Sequence, residues 1–240
     1  MRLFFPLLFV VTSACSPTSG PSVDARFIAP TPTSAAQSVD AQSVDARFIA
    51  PTPTPTPTPT SHAVLPSTAQ TRGTLYDLEL TLEDHDSRPV ALASFAGQPL
   101  IVSMFYAKCG YACPTLVQDL LNLENQLTEA ERKSTRVLLV TFDPENDTPS
   151  VLASLAERHG VDTTRWTFAR TNPSLGDEPT RELAGALGIK YRRLDDGHYN
   201  HSTLITLLDR RGVPLARIDG LRQDSTAFRA VVTHAVSETP

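Results

Sequence analysis

Two cysteines separated by three residues are the part of this sequence best suited to chemistry. Cys109 and Cys113 lie in "AKCGYACPTL", residues 107–116, and Cys15 is the third cysteine of the chain. Neighbouring thiols either exchange disulfides or bind a soft metal. Two sulfur ligands are too few for a structural zinc site, which takes four ligands. Copper, which favours thiolate and imidazole, fits the pair if a histidine completes the site.

The segments on either side of the cysteines predict a strand and a helix. The apolar run "PLIVSMFY" ends just before Lys108 and Cys109, and such a run is typical of a strand buried on both faces. Pro114 favours the first helical position, so we expect Cys113 at the mouth of a helix and residues 109–112 in a loop. Both sulfurs then lie near the positive end of the helix dipole, which stabilises thiolates. The expected helix, residues 114–133, carries leucines on one face: Leu116, Leu120, Leu123 and Leu127.

The remaining patterns predict an α/β domain around this unit. Four further segments predict strands: "RVLLVTF", "TRWTFA", "TLITLLD" and "PLARID". Three further helices are expected: one from Thr148–Pro149 to Gly160, one ended by Gly188 and one from about Ser225. Before them, "LYDLELTL" and "RPVALASF" predict a β-hairpin. A strand that ends at a cysteine pair and leads into a helix is the thioredoxin arrangement. We therefore predict a thioredoxin-like α/β fold with a central mixed sheet, flanking helices and an N-terminal β-hairpin.

Two of the six histidines, His198 and His201, directly precede the predicted strand "TLITLLD". In a thioredoxin-like fold the loop that carries them lies beside the cysteine loop. We interpret His201 as the third copper ligand and His198 as its rival, because imidazole is a good copper ligand. The alternative is that His201 is a surface or strand-capping residue.

The cysteine pair is also consistent with functions other than metal binding. A flexible loop can bring Cys109 and Cys113 within disulfide range, which suits a thiol-disulfide oxidoreductase that keeps a partner's cysteines reduced. A purely structural disulfide usually closes a longer loop. A peroxidase of the thioredoxin superfamily normally needs Thr or Ser three residues before the reactive cysteine, where this chain has Tyr106. Copper binding needs His201 and disulfide exchange does not, so this residue separates the two main hypotheses.

Two carboxylates follow the predicted strand "RVLLVTF". We interpret Asp143 and Asp147 as residues that fix the turn, and Asp147 as a cap of the helix that begins near Thr148.

The N-terminal quarter of the chain predicts export and an anchored stalk. Arg2 and the apolar run 3–11 resemble a signal peptide, residues 1–14, and Cys15 after small residues resembles a lipidation site. Residues 15–67 contain tandem duplications and "PTPTPTPTPT", which favours an extended, disordered stalk. We expect a domain over residues 68–240 at the outer face of the cytoplasmic membrane. The net charge of −5, with no basic run, argues against nucleic acid as a partner.

Three motifs together give the domain a family resemblance. The segments "FYAKCGYACPTL", "VTFDPENDTP" and "YNHSTLITLLDRRGVPL" resemble the copper-binding Sco/SenC family of thioredoxin-like proteins. The resemblance implies copper ligation by Cys109, Cys113 and His201, as Cu(I) or Cu(II). It also implies a metallochaperone, without enzymatic turnover, that helps to assemble the CuA centre of cytochrome c oxidase. The expected partner is the CuA-bearing subunit or another copper recipient.

The sequence departs from the family pattern at two places near the expected site. The family often has Pro and Asp inside the cysteine loop, where this chain has Gly110 and Tyr111. The family's histidine often follows an aspartate, and His201 follows Asn200. Both changes remove a carboxylate from the site, so we expect copper affinity or partner choice to differ.

Overall fold

The computed structural model describes residues 65–66 and 73–238, and this part of the chain forms ten strands and five α-helices. The strands are β1 Leu65–Pro66, β2 Thr81–Asp84, β3 Pro89–Ala91, β4 Leu100–Phe105, β5 Arg136–Thr141, β6 Trp166–Arg170, β7 Tyr191–Arg193, β8 Tyr199–His201, β9 Leu204–Leu208 and β10 Pro214–Asp219. The helices are α1 Ala112–Asn125, α2 Glu129–Ser134, α3 Pro149–His159, α4 Glu178–Leu187 and α5 Thr226–Ser237.

Eight of these strands form one mixed sheet in the order β1-β10-β9-β4-β5-β6-β2-β3. Strands β4, β5 and β6 are parallel, and the other pairs are antiparallel. The predicted central mixed sheet is therefore confirmed. Its N-terminal hairpin, β2–β3, is also present but shorter than predicted, because Leu75–Asp77 and Leu92–Phe95 form 3₁₀ helices. The thioredoxin-like unit of strand, cysteine loop and helix is formed by β4, residues 106–111 and α1.

The cysteine loop follows the most buried strand of the sheet. All six residues of β4 are buried, and β4 pairs in parallel with β5 from Leu100–Arg136 to Phe105–Thr141. Parallel strands with apolar side chains on both faces need cover from helices on both sides. On α1 the inward face is apolar, with Leu116, Val117, Leu120 and Leu123 buried. The end of β4 is thus a firmly held starting point for the loop.

The start and the length of the helix after the cysteines differ from the sequence prediction. Helix α1 begins at Ala112, so Cys113 lies inside its first turn rather than ahead of it. The helix expected over 114–133 is broken into α1 and α2. Thr128 starts α2 through a capping box with Glu131, and such a box signals a new helix start.

The predicted boundaries of α3 and the predicted end of α4 are confirmed. Thr148 precedes Pro149 at the start of α3, and Gly160 ends it with a φ of 63°. Gly188 ends α4 with a φ of 75°. Glycine is favoured at both ends because it adopts the left-handed conformation without steric cost.

The histidine segment forms a structure that the sequence analysis did not predict. Strands β7 and β8 pair antiparallel in a separate two-stranded sheet, with Tyr191 opposite His201. His201 was expected in a loop, but it is the last residue of β8. This two-stranded unit, residues 191–201, is called the histidine hairpin below.

The predicted signal peptide, the lipidation site Cys15 and nearly all of the predicted stalk lie outside the described residues. Leu65 and Pro66, which the sequence analysis assigned to the stalk, form β1 and pair with β10. In the part of the chain that the structure describes, no helix has both the length and the apolar character needed to cross a bilayer.

Candidate metal centre

The two cysteines lie at the carboxyl end of β4, and both are free thiols. Cys109 is partly exposed on the loop, whereas Cys113 is buried with 3% of its surface exposed. The backbone of Tyr106, the residue after β4, contacts both of them. Its N–H donates to Cys113 Sγ at 3.4 Å, and its carbonyl accepts from the N–H of Cys109 at 3.2 Å.

The two thiols have opposite acid–base properties. Burial raises the pKa of Cys109, but hydrogen bonds from the N–H groups at the start of α1 outweigh burial and lower that pKa below its usual value. Burial raises the pKa of Cys113 far above the usual value, and the nearby charges of Cys109 and Asp147 raise it further. The predicted stabilisation of both thiolates is therefore right for Cys109 and wrong for Cys113. Burial of a thiolate costs more than the helix end recovers.

Asp147 positions the cysteine loop, which the sequence analysis missed. Its Oδ2 accepts from the N–H of Ala107 at 2.9 Å and from the hydroxyl of Thr141. Thr148 precedes α3 without a side-chain cap, so the interpretation of Asp147 as a helix cap is replaced by this contact with the loop. Burial raises the pKa of Asp147, and the two donors oppose that rise.

Asp143 fixes the turn after β5, as predicted. Both of its carboxylate oxygens accept from the side-chain amide of Asn146, at 2.9 and 3.0 Å. Its backbone carbonyl accepts from the N–H groups of Asn146 and Asp147. The turn is thereby closed from within, and it carries Asp147 to the cysteine loop.

His201 is held between two aromatic rings at the end of β8. Its ring centroid lies 5.9 Å from that of Tyr106 and 5.0 Å from that of Phe142. Its Nδ1 lies 3.2 Å from the carbonyl oxygen of Ser202. Because a carbonyl oxygen only accepts, Nδ1 is the donor, which leaves Nε2 as the nitrogen available to a metal. This tautomer is the one required for a metal ligand that binds through Nε2.

His198 occupies a different place on the same hairpin. Its Nδ1 lies 3.3 Å from the hydroxyl of Tyr106, and the two rings meet edge to face at 6.2 Å. Both histidines therefore contact Tyr106, through its ring for His201 and through its hydroxyl for His198.

The structure brings the three sequence-predicted ligands into one neighbourhood without forming a closed ligand set. Among the described residues, no group of three or more His, Cys, Asp or Glu side chains is arranged to hold a metal ion. Cys109 and Cys113 are adjacent, and His201 packs on the ring of the residue whose backbone contacts both. Two sulfurs and one imidazole nitrogen suit copper, so the donor types fit and their distances must adjust.

The residues that depart from the family pattern are exposed. Tyr111 lies in the cysteine loop with 66% of its surface exposed. The guanidinium of Arg222 lies 5.7 Å from the centre of its ring. The rim of the site therefore carries an aromatic ring and a cation at the place where the resemblance implies that relatives often have a carboxylate.

Comparisons with known proteins assign the domain to a family. A family model described as SCO1/SenC matches residues 68–236. The SCO1 protein homolog of Bacillus subtilis (strain 168) is 28% identical over 94 residues, which cover 39% of this chain and 48% of that protein. The chain thus spans about half the length of that curated relative.

Solved structures of similar proteins share the fold. A SCO1/SenC family lipoprotein from Bacillus anthracis has a TM-score of 0.60 at 15% identity, covering 67% of this chain and 97% of that one. The copper-bound ScoI of Bradyrhizobium japonicum has a TM-score of 0.53 at 20% identity, covering 65% of this chain and 96% of that one.

Proposed function

Because the chain belongs to the SCO1/SenC family, we propose that it binds copper outside the cytoplasm and hands it on during cytochrome c oxidase assembly. The observation that carries the proposal is the shared contact with Tyr106. Its backbone holds Cys109 and Cys113, and its ring packs against His201. These three side chains are the proposed ligands, and copper is the cargo rather than a resident cofactor.

The ligand set suits copper in two oxidation states. Two thiolates hold Cu(I) in near-linear geometry without further help, whereas Cu(II) favours an additional imidazole. The binding of copper at Cys113 must remove a proton from a buried thiol whose pKa is raised. Metal binding should therefore release protons and weaken as the pH falls. The proposed recipient is the CuA-bearing subunit of cytochrome c oxidase or another copper protein.

Oxidation of the pair gives a direct test of the proposed site. A disulfide between Cys109 and Cys113 offers no thiolate, so the oxidised protein should take up no copper at the site. Reduction should restore one equivalent, measured by titration with competing chelators. Equal copper uptake by both forms would place the metal elsewhere and overturn the proposal.

A second candidate function, thiol-disulfide oxidoreductase, is favoured by the difference between the two thiols. Cys109 is more exposed and has a lowered pKa, which suits an attacking thiolate. Its sulfur would attack a partner's disulfide and form a mixed disulfide, releasing one partner thiolate. Cys113 would then displace the second partner thiolate and leave a Cys109–Cys113 disulfide and a reduced partner. A Cys113→Ser variant that traps a mixed disulfide, together with a His201→Ala variant that retains full function, would favour this role.

The proposed location is the bacterial cell envelope, with the domain anchored at the outer face of the cytoplasmic membrane through Cys15. The support is the short apolar run before Cys15 and the Pro/Thr-rich segment after it. Mass spectrometry of the membrane fraction should find a diacylglyceryl mass on a peptide that begins at Cys15. A soluble mature protein with an unmodified thiol at this position would contradict the anchor.

A further inference from the structure

Tyr106 connects the two halves of the proposed site more directly than sequence reasoning suggested. It is 4% exposed and is the first residue of the cysteine loop, directly after β4. Its backbone hydrogen bonds with both cysteines tie their positions to the end of β4. The main chain of Tyr106 therefore links the backbone of Cys109 to the sulfur of Cys113.

The side chain of Tyr106 reaches the histidine hairpin. Its hydroxyl hydrogen bonds with Nδ1 of His198 at 3.3 Å. Its ring centroid lies 5.2 Å from that of Tyr199 and 5.9 Å from that of His201. One side chain thus contacts three residues within or next to β8.

Apart from Tyr106, the histidine hairpin is held by ring packing, by an exposed ion pair and, on the β7 side, by the hydrogen bond from Tyr191 to Asp177. It forms its own two-stranded sheet and does not pair with the main sheet. Phe142 packs on it from the end of β5, with ring distances of 4.8 Å to Tyr191 and 5.0 Å to His201. The ion pair between Arg193 and Glu145, at 3.6 Å, is exposed and so contributes little. Packing of rings allows sliding, whereas a hydrogen bond fixes a distance and a direction.

We propose that Tyr106 is a positioning residue: its hydroxyl, bonded to His198, latches the histidine hairpin to the cysteine loop and sets the place of His201 relative to the two thiols. The inference rests on the proposed function, because it concerns the ligands of that copper site. It assigns His198 to the latch rather than to the metal. The hydroxyl also lies beside the thiol of Cys109, so the latch adjoins both halves of the proposed ligand set.

The test uses Tyr106→Phe, which keeps the ring and the backbone contacts and removes only the hydroxyl. Cu(II) binding by the reduced protein should weaken by about tenfold, the lower end of the range for groups that orient a metal ligand. The absorption and electron paramagnetic resonance spectra of the Cu(II) form should also shift, which a purely structural loss would not cause. In the copper-free protein, amide hydrogen exchange over residues 199–201 should become faster.

A matched control is Tyr191→Phe, on the neighbouring strand of the same hairpin. The hydroxyl of Tyr191 bonds to Asp177 rather than to a group that holds the cysteines. This variant also loses one tyrosine hydroxyl, but the Cu(II) spectrum should match that of the wild type. If Tyr191→Phe and Tyr106→Phe change the spectrum equally, the latch has no special role and the proposal fails.

Variants of His198 separate a latch from a ligand. His198→Ala should weaken Cu(II) binding in the same direction as Tyr106→Phe, and the double variant should lose less than the sum of the two single losses, because both single variants remove the Tyr106–His198 bond. His198→Asn places an amide atom at the position of Nδ1, so it should restore the wild-type spectrum. Loss of Cu(II) in His198→Asn, beyond that in Tyr106→Phe, would make His198 a ligand and overturn the proposal.

The exchange measurement keeps this inference separate from the proposed function. If the wild type binds no copper, the proposed function fails, yet hydrogen exchange still reports on the latch. Unchanged exchange at 199–201 in Tyr106→Phe would reject the latch, whatever the protein binds.

Discussion

The cysteine loop and the histidine hairpin are the two halves of one proposed site, but they are built differently. The loop continues β4, enters α1 and is held by main-chain bonds of Tyr106 and by the carboxylate of Asp147. The hairpin stands outside the main sheet and is held mainly by aromatic rings and by the hydroxyls of Tyr106 and Tyr191. Half of the site is therefore fixed by the core of the fold. The other half can adjust, which would suit the proposed role of accepting and releasing copper.

A second contrast lies within the cysteine pair. Cys109 is partly exposed with a lowered pKa, and Cys113 is buried with a raised one. The exposed sulfur is suited to the first contact with a partner or a metal. The buried sulfur of Cys113 is suited to react second, after it has lost its proton or after Cys109 has bonded to the partner or the metal.

The largest effect should come from removing a sulfur from the firmly held half. In Cys113→Ser, Cu(I) affinity should fall by more than roughly 100-fold, the upper end for changes outside the ligand set, because a hydroxyl is a poor ligand for a soft ion. A competition titration against a Cu(I) chelator measures the change. Cys15→Ser is the control and should bind Cu(I) normally. Equal losses in the two variants would show that the Cys109–Cys113 pair is not the site.

A smaller effect should follow if the cysteine loop loses the hydrogen bonds that the Asp147 carboxylate accepts. Asp147→Ala leaves the partly buried N–H of Ala107 and the buried hydroxyl of Thr141 without their acceptor. The free energy of unfolding should fall by about 1–3 kcal/mol, the cost of an unsatisfied buried group. Urea unfolding measures the loss, and hydrogen exchange should become faster near residue 107. Asp147→Asn keeps one acceptor oxygen, so its free energy of unfolding should fall less than that of Asp147→Ala. A larger fall in Asp147→Asn would reject the role of Asp147 as the acceptor that holds the cysteine loop.

The smallest of these effects concerns the difference between the two thiols. In the reduced protein at neutral pH, iodoacetamide should modify Cys109 about tenfold or more faster than Cys113, because the thiolate is the reactive form. The rate at Cys109 should rise with pH around a midpoint below the ordinary thiol value of 9.0. Peptide mass spectrometry over time measures both rates. Faster modification of Cys113 would mean that Cys113, and not Cys109, is the thiol that reacts first.

The cysteine loop, which is the firmly held half of the proposed site, was also the half that could be predicted from the sequence. The unbroken apolar runs of β4 and β5 and the cysteine pair are local signals, and they predicted the buried strands and the cysteine loop. The start of α1 was misplaced by two residues because Tyr111 precedes the helix with a φ of −129° and makes no side-chain cap. Pro114 therefore occupies the third helical position, and Cys113 moves into the buried first turn.

The histidine hairpin could not be predicted as readily, and the reasons are physical. The segment "YRRLDDGHYNH" is rich in charge and lacks the alternation of a half-buried strand. The Asp196–Gly197 pair is a hairpin turn signal, and Gly197 has a φ of 79°, so this signal could have found the hairpin. The links from Asp147 to Ala107 and from Tyr106 to His198 join residues 40 and 92 positions apart. Contacts of this kind depend on the assembled fold and leave no local pattern.

The most direct test of the central claim is a Cu(II) titration of the reduced protein, with the wild type compared with His201→Ala. The wild type should bind one equivalent with a thiolate-to-Cu(II) absorption band and nitrogen coupling in the electron paramagnetic resonance spectrum. His201→Ala should lose or shift that band and lose the nitrogen coupling, yet still bind Cu(I) through its two thiolates. His159→Ala, at the end of α3, is the control and should behave as the wild type. A His201→Ala variant with the wild-type Cu(II) spectrum would contradict the claim that the histidine hairpin supplies the third ligand.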